Sequence, residues 1–223
     1  MPYRRTENVV RRLAARETSI LKAAGVAAAN GGMAAVQIAP VAARAGVAAG
    51  TVYRYFPSKT DLVAELVADV AAREIGAMRE AADRAPGPLS AVAAAVATFA
   101  VRALRERRLA WAVIGEPVDA GIDAARLDFR KALAAEIDQR IRRAIAGGHL
   151  PDQDSALAAR AIVGALMEAL VGPLAEPLDA DAARMREAAQ TATVLALRAL
   201  GVVDARARGL VAQCALPLPV PHR

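Results

Sequence analysis

Between residues 51 and 59, Thr51, Tyr53, Arg54, Tyr55 and Lys59 set three hydroxyls and two cations close together. Groups of these kinds bond phosphate oxygens, and an arginine fork can also read the acceptors of guanine. Ala48, Ala49 and Gly50 lie just ahead of them, and alanine or threonine methyl groups can touch the methyl of thymine. Arg44, a few residues earlier, is a solvated residue within reach of a nucleic-acid backbone. Something must hold these groups on one surface. A short helix, Val41 to Ala45, stops at Gly46; a tight turn follows; a second short helix carries Thr51 to Tyr55 and closes at Pro57. Two short helices about a glycine-containing turn form a helix-turn-helix, spanning about residues 37–56, whose second helix enters the DNA major groove. Val47, Val52 and Phe56 are the apolar residues that hold the unit together.

The charge pattern agrees. Residues 1–60 carry nine Lys or Arg against two acids, whereas the remainder has twenty bases and twenty-one acids. A basic end on a neutral body suits a polyanion bound at that end. The chain has 223 residues and is 56% hydrophobic but only 3% aromatic; much of it is alanine, with apolar residues three and four apart, which predicts an all-α protein. Its single cysteine, Cys214, excludes an internal disulfide framework and fits a reducing cytoplasm. The basic N-terminus lacks the apolar stretch of a signal peptide, and the longest apolar runs fall short of the ~20 residues a membrane span needs, so a soluble cytoplasmic protein without membrane contact is expected.

Periodicity and stop signals predict about nine helices. The first, about residues 6–29, turns Val10, Leu13, Ile20, Ala24 and Ala27 inward. The fourth begins after Ser58, where Ser58 and Asp61 have capping-box spacing. The seventh, about 123–146, carries Phe129, Leu133, Ile137, Ile141 and Ile145 at intervals of four. The eighth and ninth follow Asp154 and Asp181. Residues 205–223, ending in a Pro-rich run, are expected to form a flexible tail.

The pattern Val41-Ala42-Ala43-Arg44-Ala45-Gly46-Val47, then Gly50-Thr51-Val52-Tyr53-Arg54-Tyr55-Phe56, then Ser58-Lys59 with Leu62, resembles the TetR family of bacterial transcriptional regulators. The resemblance covers about residues 10–66. It implies an all-α homodimer: a three-helix DNA-binding domain, here residues 1–57, followed by a ligand-binding and dimerisation domain, here 58–204. It also assigns Tyr53, Tyr55 and Lys59 to phosphate. Two departures stand out. Gln37 and Ala48 occupy the positions where the family has Ser or Thr capping the second helix and Ser capping the third, and loss of a cap costs roughly 1 kcal/mol.

In the second domain, small residues on the last two helices permit close approach. Ala161, Ala165, Leu166 and Leu170 on one, with Met185, Ala192, Leu195, Ala196 and Ala199 on the other, are the expected dimer interface, which the resemblance makes a four-helix bundle across a two-fold axis. An effector cavity is expected among Leu66, Val70, Phe99, Trp111, Ile114, Glu116, Phe129 and Met167, with core packing the competing role for each. Arg102, Arg126 and Arg130 could instead meet an anionic ligand. His149 and His222 stand apart from other metal-binding side chains, and no nucleophile elbow, phosphate loop or dinucleotide motif occurs, so neither metal nor cofactor nor catalysis is expected. The leading reading is a repressor that an unidentified small molecule releases from its operator; the alternative is a helical DNA-binding protein of low specificity without ligand control.

Overall fold

The computed structural model describes residues 7–116, 120–176 and 181–214. Among them are ten α-helices and no strand: α1 (Glu7–Gly31), α2 (Ile38–Ala45), α3 (Ala49–Tyr55), α4 (Lys59–Asp83), α5 (Pro88–Arg105), α6 (Arg107–Ile114), α7 (Ala120–Ala146), α8 (Ser155–Leu170), α9 (Ala182–Ala199) and α10 (Asp204–Ala212), with a 3-10 turn at Met33–Ala35. The all-α expectation holds.

The helix boundaries follow local chemistry. Ser58 accepts from Asp61 N at 3.1 Å while its own backbone N donates to the Asp61 carboxylate at 3.0 Å, so α4 starts in the capping box read from the sequence. Asp154 and Asp181 cap α8 and α9, and Pro88 opens α5, where its missing N–H costs nothing. Gly46 ends α2 at φ 68°, a left-handed conformation that glycine adopts without strain.

α5 lies at the centre, with α4, α7, α9 and α10 packed around it. By length and composition it could cross a membrane, contrary to the expectation that no segment would; two-thirds of it is buried inside the protein, which accounts for its apolar character. On α7, Phe129, Leu133, Ile137 and Ile141 are buried, as their spacing of four predicts. α1 packs from Ile20 onward, and its first turns stand clear of the bundle, so Val10 is exposed rather than inward. Residues 204–212 are not a tail. They form α10, which lays Ala207 and Val211 against α5 and α9; the rest of the expected tail, 215–223, lies outside the described residues.

α1, α2 and α3 form a small unit joined to the bundle through α4 and α6. Leu66 of α4 is wholly buried against Gly25 of α1 and so ties the two parts together, not lining a cavity as expected. The far end of α4 is fixed differently. Arg140 of α7 reaches Asp83 at 2.6 Å and Glu136 at 2.6 and 2.8 Å, and Arg79 of α4 meets the other Glu136 oxygen at 3.2 Å. The Arg140 and Glu136 side chains are only 4% and 2% exposed, so this is a buried charge network. Burial works against the Arg140 guanidinium, but its bonds to Asp83 and Glu136 outweigh this and hold its pKa above the ordinary value.

Candidate nucleic-acid interface and internal cavity

α3 has two faces. Val52 is buried, and the following Phe56 packs beside it, with Val47 half-buried on the same core. Ala48, Ala49, Gly50, Tyr53 and Arg54 are exposed, and Thr51 is half-buried at the edge. Tyr53 keeps 53% of its surface in solvent. Arg44 is exposed on the last turn of α2, and Lys59 is half-buried at the first position of α4. Of the nine expected residues, six are thus exposed and Thr51 and Lys59 half-buried.

Tyr55 is the exception. It lies three residues after Val52, and so on the core face of α3, with its ring 6.4 Å from that of Phe56. Its hydroxyl is buried with no hydrogen-bond partner, so it does not present the phosphate contact expected of it. Tyr55→Phe should therefore leave DNA affinity unchanged and thermal stability unchanged or slightly raised, because an unsatisfied buried hydroxyl is removed. A large loss of DNA affinity in binding titrations would place the hydroxyl at the interface after all.

Ala48 has the extended backbone of a helix cap and makes no side-chain cap bond, and Gln37 likewise does not cap α2. Ala48→Ser should supply the missing acceptor and raise stability by about 1 kcal/mol, a gain of roughly 2–4 °C for a chain of this size. A thermal melt with no gain would contradict this start for α3.

Gly50 carries a different message. A methyl group there would meet nothing within 4 Å. The protein's own packing therefore does not require glycine, although glycine weakens a helix by about 1 kcal/mol relative to alanine. An external surface that approaches the backbone closely would require it.

The bundle meets this unit through α6. Glu116, just past the end of α6, accepts from Met33 N at 2.9 Å, and Gly32 beside it takes φ +71° with no room for a side chain against the same carboxylate. Buried Arg126 of α7 donates to the carbonyls of Ala112 and Glu116 and so closes the end of α6. Desolvation lowers its pKa, partly countered by Asp123 and Glu116. At the other end, Arg107 donates to the carbonyls of Ala175 and Glu176, at 2.7 and 2.5 Å, in the turn after α8. α6 is thus held at both ends. Glu116 and Arg126 are spent on these contacts and line no ligand site.

A cavity of about 90 Å³ lies between α4, α5, α6 and α7. Of the eight residues expected there, Val70, Phe99, Ile114 and Phe129 line it. Trp111 turns its ring onto Gly115, and Met167 belongs to a groove between α7 and α8. The cavity also contains Glu74 of α4 and Arg102 of α5, paired through both carboxylate oxygens at 2.6 and 2.7 Å. Sequence reasoning named Arg102 but missed Glu74, because only the crossing of α4 and α5 brings them together.

α8 and α9 touch only sparingly, which leaves a groove of about 780 Å³ between them. Ala161, Ala165, Leu166, Leu170, Ala192, Leu195, Ala196 and Ala199 line it; Met185 does not, being packed toward the core instead. Leu195, 57% exposed, stands at its edge.

Residues 20–66 match the profile of bacterial regulatory proteins, tetR family. An uncharacterized HTH-type transcriptional regulator of Mycobacterium tuberculosis is 35% identical over 129 residues, 58% of each chain, so the present chain spans little more than half the length of that relative. The HTH-type transcriptional repressor KstR of Rhodococcus jostii is 51% identical over 53 residues, 24% of this chain and 25% of its own. Among solved structures, RolR in complex with resorcinol superposes with a TM-score of 0.65 at 21% identity, covering 95% of this chain and 98% of that one, which establishes a shared fold.

Proposed function

We propose that the chain, whose residues 20–66 match the profile of bacterial regulatory proteins, tetR family, is a member of that family and a sequence-specific transcriptional repressor released from its operator by a small molecule. The observation that carries the reading is the outward face of α3: Gly50, Tyr53 and Arg54 are exposed with no structural use, on a helix whose other face is core. Tyr53 and Lys59 hold phosphates, and Thr51 and Arg54 face base edges. Likeness to KstR over the DNA-binding segment supports repression. The fold shared with RolR, which binds resorcinol, supports an effector in the cavity between α4 and α7.

Two copies associate in the cytoplasm across the α8–α9 groove, where small residues allow close helix approach and Leu195 gains cover. A two-fold dimer sets its recognition helices one DNA turn apart, ~34–36 Å, or a multiple of that. The effector works by binding one position of α4 better than another, and only that difference can shift DNA affinity.

The test is binding to DNA upstream of the protein's own coding region against random competitor. A preference of about 10³ or more marks a specific regulator; binding that is salt-sensitive but indifferent to sequence would leave a low-specificity DNA-binding protein instead. Gly50→Ala sharpens this. It should stabilise the free protein by up to about 1 kcal/mol yet weaken operator binding, a pairing of opposite signs that a purely structural glycine would not produce.

A further inference from the structure

The three-helix unit is tied to the bundle along α4, which leaves the unit at Lys59 and continues into the bundle as a single helix, with Leu66 seated on Gly25. A second tie lies at the turn between α1 and α2. The 3-10 turn begins at Met33, and the first N–H of such a turn has no partner inside it. A side chain from the residue just before commonly supplies the acceptor. Here that residue is Gly32, which has none. The acceptor comes from the bundle instead: the Glu116 carboxylate, 83 residues away in sequence, at 2.9 Å.

The surroundings hold both ends of this bond. Gly32 and Met33 are buried, so a Met33 N–H stripped of its acceptor is left unpaired. Buried Arg126 of α7 donates to the Glu116 carbonyl and so fixes the backbone from which the carboxylate reaches out. The space is shaped for the carboxylate as well. Gly32 takes φ +71°, and a methyl group on it would lie 2.5 and 2.8 Å from the two Glu116 oxygens. The carboxylate thus fills the room that any other residue at 32 would need.

The turn leads directly into the DNA-binding elements. Val36 is wholly buried, α2 begins at Ile38, and α2 packs on α3. A bond at Met33 therefore acts on the helix-turn-helix by a route separate from α4. A unit tied along one helix can swing about it, and a second tie set off from the first removes that freedom.

We propose that Glu116 is a positioning residue for DNA binding. By capping the Met33 turn from the bundle, it sets the angle at which the helix-turn-helix stands on each protomer, and so the separation of the two recognition helices in the dimer. Glu116 itself touches no DNA. This rests on the reading of the chain as a dimeric DNA-binding regulator.

The test uses the full chain with the DNA it selects upstream of its own coding region, and with versions of that DNA that lack one half-site or have the half-sites moved by one base pair, about 3.4 Å. Glu116→Ala should lower affinity for the intact site about tenfold, as a protein competent in only about a tenth of its population would. It should leave affinity for the single half-site unchanged and flatten the preference for the native spacing. The Met33 amide should exchange its hydrogen at least about tenfold faster. Glu116→Gln keeps an acceptor oxygen at the same reach and should restore most of each loss. Gly32→Ala displaces the carboxylate by another route and should reproduce the alanine pattern, which keeps the test open if Glu116→Ala does not fold. Equal losses at the intact site and the half-site would mean that the unit itself is damaged, and overturn the proposal. So would an unchanged spacing preference or an unchanged exchange rate at Met33. In those cases specific binding by the unaltered protein leaves the regulator reading standing. If the unaltered protein selects no DNA site, that reading falls and the proposal falls with it.

Discussion

Replacing Tyr53 and Lys59 together by alanine should lower operator affinity by at least about a hundredfold without unfolding the protein. A hydrogen bond to a charged group contributes about 1.5–3 kcal/mol, and a two-fold dimer presents each residue twice. Even at about 1 kcal/mol per contact, four contacts amount to about a thousandfold; the lower figure allows for contacts that compensate one another. The salt dependence supplies a second readout. Losing one cation per protomer should make the slope of log affinity against log salt shallower by about 2. The fold should survive because Tyr53 is mostly in solvent and α4 keeps its cap at Ser58 and Asp61. Anisotropy titrations over a range of salt, with a thermal melt alongside, decide the matter. Unchanged affinity at an unchanged slope would remove both residues from the interface.

Arg140→Met should destabilise the protein strongly. Its side chain and that of Glu136 are almost wholly buried, and Arg140 also holds Asp83. Removing one partner of a buried pair typically costs 3–5 kcal/mol, because the other charge is left in a poorly solvating place. For a chain of this size that means a fall of roughly 6–20 °C in melting temperature. Arg79 is too exposed to compensate fully. The companion variant, Arg140→Met with Glu136→Leu, should recover most of the loss, since apolar replacement of a buried pair is often neutral or better. A single variant as stable as the unaltered protein would mean that water reaches the network.

The helix-turn-helix and its exposed face were legible in the sequence because they are local: Gly46, Thr51, Tyr53, Arg54 and the Ser58 cap lie within a dozen or so residues, and helical spacing alone assigns their faces. Tyr55 was grouped with Tyr53 for its hydroxyl, although helical spacing sets it on the side of Val52, where that hydroxyl is buried. The cavity was half legible. Phe99, Phe129, Ile114 and Val70 are apolar residues of core helices, but which of such residues border an empty space depends on crossings between helices distant in sequence. Leu66 and Met167 have the same chemistry and face elsewhere. Glu116 looked like a ligand group because an acid in an apolar segment needs a partner; the partner is a backbone amide, Met33 N, some eighty residues away. α10 was hidden by the proline-rich sequence just after it.

The charge network at Arg140 also sets a mechanical ratio. It clamps α4 near Asp83, whereas the cavity meets α4 at Val70 and Glu74 and α4 leaves the three-helix unit at Lys59. At 1.5 Å of rise per residue, Glu74 stands about 13 Å from the clamp and Lys59 about 36 Å. A rigid α4 turning about its clamped end therefore multiplies displacement by about 2.7. One ångström of adjustment at Glu74 becomes nearly three at Lys59, comparable to the length of a hydrogen bond.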